Sequence, residues 1–213
     1  MHYFTHALSP ILDLLDTSVA TVSCRGAGRL AEHRQTGGFD NPFPTEVGLF
    51  TLHDSDVLAE ITMSFSQTAR SYVEGFAIYG DQRGIEWPTD NEGPLTIFDM
   101  RPPADGQRGN RVEMSQLTVP DMTDNLPTPI RQFVRPSEAQ FAGMTAPVPV
   151  GAGHGGSHPF LVHEFVSSIV DRRSPVIDAR RAAAWTAPGI CAHESALDGG
   201  AERTVPDYLG TGS

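Results

Sequence analysis

Residues 151–200 read GAGHGGSHPFLVHEFVSSIVDRRSPVIDARRAAAWTAPGICAHESALDGG, and the interpretation of the whole chain starts from this stretch. It opens with a glycine-rich loop that carries His154 and His158. Ser157 is suited to the N-cap of a helix. Apolar residues then recur at i, i+3, i+4 and i+7, at Val162, Phe165, Val166 and Ile169. This spacing predicts an amphipathic helix that ends before Pro175.

A second helix is predicted immediately afterwards. Asp178 is placed to cap it, and its alanine-rich sequence runs to Leu197 before a Gly-Gly stop. Pro188 removes one backbone hydrogen bond inside this helix and is expected to kink it. The chain therefore ends in a flexible histidine loop followed by two rigid helices.

The sequence upstream has the pattern of strands. Residues 57–65 alternate apolar with polar side chains, as a strand with one buried face does. Further strands are predicted at residues 19–24, 46–52, 72–79, 85–87, 95–98 and 111–119. The proline-rich residues 120–149 are predicted to be extended surface chain with at most short pairings. The short connections favour an α+β fold with an open, mainly antiparallel sheet and helices packed on one face. We interpret residues 1–213 as a single domain.

The N-terminal sequence MHYFTHALSPILDLLDTS predicts a short buried helix, because it contains an apolar cluster at Ile11, Leu12, Leu14 and Leu15. Pro10 is placed in its first turn, where a missing N–H does no harm. The chain starts directly on aromatic and apolar residues, without a polar lead-in. We therefore expect that sequence upstream of this start is missing.

Composition excludes several classes of function. The net charge is −11 and the pI is near 5.0, whereas nucleic-acid-binding proteins carry a basic stripe. All 15 basic residues of the Lys+Arg count are arginine, which excludes lysine bases and Schiff-base chemistry in this polypeptide. Cys24 and Cys191 are far apart, which favours a reduced, cytoplasmic setting. Neither a leader peptide nor an apolar run of about 18 residues is present, so no membrane partner is predicted.

Two kinds of short motif suggest a binding site: a dinucleotide fingerprint and pairs of histidines. Residues 26–31, GAGRLA, match a dinucleotide fingerprint formally, but too few apolar residues follow to make a helix that packs on a sheet. A strand followed by a glycine turn is the favoured interpretation. HYFTH and HGGSH each place two histidines four residues apart, as metal sites do on a helix. No cysteine or acidic residue completes a ligand set at a fixed spacing, so we predict no metal, and each histidine is either a surface residue or a proton-transfer group.

The segments MHYFTHALSPIL, VSCRG, FDNPFPTE, GHGGSHPFLVHEFV and IDARRAAAWTAPGICAHESALDGG together resemble the C-terminal domain of the glucose-fructose oxidoreductase, inositol dehydrogenase and rhizopine-catabolism (Gfo/Idh/MocA) family. The resemblance covers nearly the whole chain and is strongest at its two ends. It implies an open antiparallel sheet that binds a sugar or cyclitol and mediates oligomerisation. The Rossmann domain that precedes this domain in the family is not present in the chain.

The resemblance also implies roles for individual residues. His6 matches the histidine that takes the proton from the substrate hydroxyl, and His2 stands where the family usually has an aspartate. A second imidazole thus replaces the usual carboxylate. Tyr3 is implied to contact substrate, as are His154 and His158, which lie where the family's loop closes over it.

On this basis the chain is expected to be the substrate-binding and oligomerisation part of an oxidoreductase that is inactive alone. NAD or NADP is implied for the complete family enzyme, and none is expected to bind to this chain by itself. The expected partners are a sugar or polyol, together with further copies of the chain or a separate Rossmann-domain subunit. Two alternatives stay open: a stand-alone non-catalytic protein that binds a carbohydrate or another protein, and a metal hydrolase that uses the histidine pairs.

Overall fold

The computed structural model describes residues 3–34, 41–64, 68–89, 93–106, 108–140, 142–151 and 153–210. The helices are α1 (Phe4–Leu15), α2 (Thr128–Arg131), α3 (His158–Val170) and α4 (Ala179–Leu197). The strands are β1 (Val19–Ala27), β2 (Thr45–Leu52), β3 (Leu58–Ser64), β4 (Ala77–Tyr79), β5 (Arg83–Glu86), β6 (Leu95–Arg101), β7 (Arg111–Leu117), β8 (Ser137–Ala139), β9 (Val148–Val150) and β10 (Arg203–Thr204). The predicted α+β class with antiparallel sheets and helices is confirmed.

The chain divides into two compact units, and each is described by itself. The first unit comprises Met1–Thr118 and Ala179–Ser213, and the second comprises Val119–Asp178. The interpretation of the chain as a single substrate-binding domain stays a prediction.

A four-stranded antiparallel sheet in the order β10-β1-β2-β3 forms the centre of the first unit. Alternate residues of its strands are buried, as the period of two in the sequence predicts. On β2, Phe50 and Leu52 point into the core, and on β3, Ala59 and Ile61 do the same. This alternation fixes one face of the sheet as the face that the helices cover.

Helices α1 and α4 contact each other and pack on this sheet. Phe4, Leu8 and Leu12 are buried on α1 because they lie four residues apart on one face. The ring centroid of Phe4 lies 4.8 Å from that of Phe50. Gly189 of α4 allows the close approach of the two helices, since a Cβ atom there would lie only 2.8 Å from the Cβ of Phe4.

An arginine stabilises the C-terminal end of α1. Arg181 of α4 donates to Asp13 at 2.9 Å and to Asp16 at 3.0 Å. Carboxylates are unfavourable at the negative end of a helix dipole, so a cation shared between them offsets their repulsion. All three side chains are partly exposed, and the network is therefore worth little more than an ordinary surface pair.

A contact between a buried carboxylate and a partly exposed imidazole links β2 to α4. Glu46 is only 2% exposed, and its Oε1 lies 2.7 Å from Nδ1 of His193. Nearby, the backbone N–H of Cys24 donates to the hydroxyl of Ser195, which is also buried. Burial raises the pKa of the Cys24 thiol to about 11, and the charge of Glu46 adds to this effect. Cys24 is therefore an inert core residue.

The second sheet of the first unit has the order β4-β5-β6-β7 and is antiparallel throughout. Every residue of β7 is exposed, and because successive side chains point to opposite faces, this strand is open on both faces. Arg83 pairs with Asp99 at 2.7 Å and Arg101 with Glu113 at 2.9 Å across neighbouring strands. The hydrogen bond from Arg83 holds the pKa of Asp99 below its usual range.

The second unit contains the β8–β9 hairpin, α2 and α3. The predicted apolar stripe of α3 is present, but its side chains are exposed rather than packed in a core: Phe165 is 59% and Ile169 62% exposed. Residues 120–149 were predicted to be extended chain with at most short pairings, which agrees with the three-residue strands of the β8–β9 hairpin, but they also form the short helix α2. Proline at N1 or N2 of α2 explains the helix, because proline is favoured in a first turn.

Two boundary predictions were wrong in informative ways. Helix α1 begins at Phe4, so Pro10 lies in its interior rather than in its first turn. The strand predicted at residues 72–79 is confined to β4, and residues 71–76 form irregular chain. Within the described residues, no helix has the length and apolar character needed to cross a membrane.

Candidate functional site

The candidate site is a cavity of about 610 Å³ in the first unit, between the start of α1, the end of β3 and residues 68–88. This volume lies within the range of roughly 300–1,000 Å³ that is usual for small-molecule sites. Histidine, carboxylates and aromatic rings line it together. The chain thus brings polar and aromatic groups from three separate sequence segments into one concave surface.

His6 enters the cavity from the first turn of α1. Its Nε2 lies 3.7 Å from Oε1 of Glu74, and both side chains are half-buried. This distance is longer than a direct hydrogen bond but short enough for an ion pair once the imidazole is protonated. The ring of Tyr3 lies 5.3 Å from the His6 ring, so Tyr3 also contributes to this wall.

Glu74 belongs to the irregular chain between β3 and β4, and its neighbour Tyr72 fixes its carboxylate. The phenol of Tyr72 donates a hydrogen bond to Oε1 of Glu74. This bond raises the pKa of Tyr72 to about 12, because loss of the phenolic proton would place two negative charges together. Tyr72 therefore stays protonated at neutral pH, where it is a hydrogen-bond donor to Glu74 and not a base.

A second tyrosine–carboxylate pair lies at the β4–β5 side of the cavity. Tyr79 donates to Oε1 of Glu86 at 2.6 Å, and this hydrogen bond raises the pKa of Tyr79. The two pairs present carboxylate oxygens to the cavity while their phenols stay neutral. Such oxygens are acceptors for hydroxyl or ammonium donors.

Aromatic rings form the remaining wall. Trp87 and Phe76 pack at a centroid distance of 5.4 Å with an interplanar angle of 46°. Gly75 is required beside them, because a Cβ atom at this position would lie 2.7 Å from the indole ring of Trp87. A flat aromatic surface beside hydrogen-bonding groups suits the C–H faces of a sugar ring, which bury apolar area against it.

Three further residues were predicted to belong to the site: His2, His154 and His158. His2 lies outside the described residues. His154 and His158 belong to the second unit, where their ring centroids are 4.9 Å apart. They are not two ligands on one helical face, since His154 lies in a short turn, Gly153–Gly156, with a φ of 48°, and His158 begins α3.

His158 lines a second cavity, which lies within the second unit. Its volume is about 560 Å³, and Phe133, Val162 and Val166 make it largely apolar. The hydroxyl of the predicted N-cap residue Ser157 donates to the carbonyl of His154 instead of capping α3. The contact of these loop histidines with substrate stays a prediction.

The dinucleotide loop that residues 26–31 match in sequence is not formed in the described part of the first unit. The GAGRLA motif finishes β1 and is followed by a single 3-10 turn, Glu32–Arg34, rather than by the helix that a pyrophosphate requires. This motif therefore does not form a dinucleotide-binding loop in the described residues.

The sequence predicted His6 and Tyr3 as site residues but not the others that surround His6. Tyr72 and Glu74 lie in the segment predicted to be a strand at residues 72–79, and Trp87 ends the separate strand predicted at residues 85–87. Neither segment has a spacing in sequence that relates it to His6.

Comparison of the chain with protein-family models and with curated proteins finds no match.

Proposed function

We propose that the first unit binds a sugar or cyclitol in the His6 cavity and that the chain is the substrate-binding part of an NAD(P)-dependent oxidoreductase of the Gfo/Idh/MocA type. The observation that carries the proposal is the pairing of His6 with Glu74 inside a cavity with an aromatic wall. The α+β architecture with an antiparallel sheet is consistent with it.

In this proposal His6 is the proton acceptor for a substrate hydroxyl. The imidazole gains a positive charge when it takes the proton, and the Glu74 carboxylate stabilises that charge across 3.7 Å. Tyr72 holds Glu74 in place by donating to it. The carboxylate that the resemblance assigns to position 2 is thus supplied by a different segment of the chain.

A nicotinamide dinucleotide supplies hydride acceptance in such enzymes. Because residues 26–31 do not form a dinucleotide-binding loop, the proposal places that function on a Rossmann domain or subunit and predicts that this chain alone does not oxidise polyols. Incubation of the purified chain with NAD+ or NADP+ and myo-inositol or glucose should give no reduced nucleotide. Robust turnover would contradict this assignment.

Binding is tested separately from turnover. Isothermal titration of the purified chain with myo-inositol and glucose should detect binding, and His6→Ala should weaken it by about tenfold, as loss of one hydrogen bond to a polar group does. His33→Ala is the matched control, because His33 is an exposed residue outside the cavity. Equal affinity of the His6 and His33 variants would remove His6 from the site.

A second candidate, a stand-alone binding protein for another protein chain, is favoured by one observation. Exposed apolar side chains cover much of α3, including Phe165 and Ile169, and such patches mark interfaces. The predicted oligomer would also use such a surface. Light scattering measures the molar mass of the wild type and of Phe165→Asp. If α3 is an interface, the variant should have a lower molar mass than the wild type. A wild type that is monomeric and captures no partner would contradict this candidate.

A further inference from the structure

The charges that line the cavity of the first unit are unbalanced. Among the described lining residues, Glu74 and Glu86 contribute carboxylates, and Arg70 contributes the one guanidinium. His6 is the remaining titratable base of the set. The chain as a whole is also acidic, with a net charge of −11. A ligand in this cavity therefore meets a field that is more negative than positive.

Arg70 does not offset this field fully. Its Nη2 donates to the backbone carbonyl of Thr89 at 3.0 Å, and the residue is exposed. One of the guanidinium nitrogens of Arg70 is thus already hydrogen-bonded to the backbone, and water screens the charge of the side chain. An anionic sugar would have to bind beside two carboxylates with only this partly engaged cation in its favour.

The carboxylates are held in position as acceptors. Tyr72 donates to Glu74, and Tyr79 donates to Glu86 at 2.6 Å. The pKa of Tyr72 is raised to about 12 by its carboxylate, and that of Tyr79 is raised by Glu86. Both phenols therefore remain neutral donors near neutral pH. Each ionised carboxylate has about four lone-pair sites, so one phenol donor leaves capacity for a ligand donor.

The aromatic wall of the cavity also favours a positively charged ligand. Trp87 lines the cavity beside Glu86, and an indole face attracts a cation more strongly than other aromatic rings do. Carboxylates and an indole together are the groups that recognise an ammonium ion.

We propose that the cavity selects a polyol with a protonated amino group, an aminated sugar or cyclitol, over its neutral and anionic counterparts. This inference rests on the proposed function, since it assigns the ligand class of the same cavity. A charge-assisted hydrogen bond from the ammonium to Glu86 or Glu74 replaces the neutral hydroxyl contact of an ordinary polyol.

Three pyranoses that differ in one group test the proposal on the purified chain: glucosamine, glucose and glucuronate. Titration calorimetry near neutral pH should show glucosamine binding about tenfold more tightly than glucose, as a partly exposed charged hydrogen bond allows. Glucuronate should bind more weakly than glucose. This comparison needs no variant and so does not depend on the folding of one.

Two substitutions locate the selectivity. Glu86→Gln should reduce the ratio of glucosamine to glucose affinity several-fold, whereas Glu138→Gln should preserve it. Glu138 is an exposed residue of β8 outside the cavity, and its substitution changes the net charge equally. Circular dichroism establishes that both variants are folded, and Glu74→Gln provides a second cavity variant.

The outcomes separate this inference from the proposed function. Equal affinities for the three sugars, or tighter binding of glucuronate, would overturn the amine selectivity while leaving polyol binding in place. An unchanged ratio in both Glu86→Gln and Glu74→Gln would overturn it as well. Absence of binding by all three sugars would overturn the proposed function and this inference together.

Discussion

His6 and Glu74 come from distant parts of the sequence, and their side chains face each other at 3.7 Å in the first unit. Helix α1 supplies the imidazole, and the irregular chain after β3 supplies the carboxylate. The acidic partner of the histidine is therefore made by tertiary structure and not by the position four residues earlier. In the proposed function, this pairing supplies the carboxylate that the resemblance places at position 2, where the sequence has His2.

The Tyr72–Glu74 hydrogen bond predicts an unusual tyrosine titration. Tyr72 should ionise near pH 12, since its pKa is raised to about 12 chiefly by Glu74. Glu74→Gln should return this pKa towards the ordinary value of 10.0, because a neutral amide does not oppose the phenolate charge. NMR of ring-labelled tyrosine measures the midpoint, and Glu138→Gln serves as the control. A Tyr72 midpoint that is identical in wild type and Glu74→Gln would show that the hydrogen bond is not formed.

The contact between the buried Glu46 and the partly exposed His193 predicts a large loss of stability on removal of one partner. His193→Ala leaves the 2% exposed carboxylate without its 2.7 Å contact to Nδ1. We expect a decrease of about 2–3 kcal/mol in the free energy of unfolding, below the full cost of an isolated buried charge because His193 is partly exposed. The double variant Glu46→Met, His193→Leu should be more stable than His193→Ala. Urea denaturation measures all three proteins, and a change within about 0.5 kcal/mol for His193→Ala would argue against the pair.

Gly189 predicts a packing limit between α1 and α4. Gly189→Ala places a methyl group 2.8 Å from the Cβ of Phe4, whereas Gly93→Ala meets its nearest neighbour at 3.4 Å. Alanine favours a helix by about 1 kcal/mol over glycine, but overpacking costs typically 1–3 kcal/mol. We therefore expect a net loss of thermal stability in Gly189→Ala and little change in Gly93→Ala. A higher melting temperature for Gly189→Ala would contradict the close approach of the helices.

In the second unit, the pKa of Glu164 reports whether its contact with Arg173 is formed. Nη1 and Nη2 of Arg173 each donate a hydrogen bond of 2.7 Å to the Glu164 carboxylate, and these bonds lower the pKa of Glu164 from 4.5 to about 2. Because the pKa is lowered in the folded state, this stabilisation is complete above pH 4.5 and is lost as the pH falls through about 2.

Arg173→Gln should raise the pKa of Glu164 towards its ordinary value, whereas Arg172→Gln should change it little. Carbon-13 NMR of the glutamate carboxyls measures both. A wild-type midpoint near 4.5 would mean that the contact does not persist in solution.

The sequence predicts those parts of the fold that local periodicity determines. Alternation at residues 57–65 and the helical spacing after Ser157 are properties of neighbouring residues, and both elements are present. The start of α1 was misplaced because Pro10 suits a first turn, and packing of Phe4 on Phe50 instead extends the helix by six residues before it. Tertiary contacts overrode the local rule in this case.

Of the residues that line the cavity, only His6 and Tyr3 were predicted from the sequence. Glu74 lies in the irregular chain after β3, and no spacing rule relates a loop carboxylate to a helical histidine across the three strands β1, β2 and β3 that lie between them in sequence. The stripe of α3 shows the converse, since periodicity correctly predicted an apolar face but could not predict that Phe165 and Ile169 would be exposed.

The most direct test of the account is NMR of histidine ring signals during titration of the purified chain with myo-inositol. The account predicts that the His6 signals shift saturably with ligand, that those of the exposed His33 do not, and that Glu74→Gln weakens the apparent affinity. Saturable binding that leaves the His6 signals unchanged, or the absence of any binding, would contradict the claim that this cavity is a polyol site.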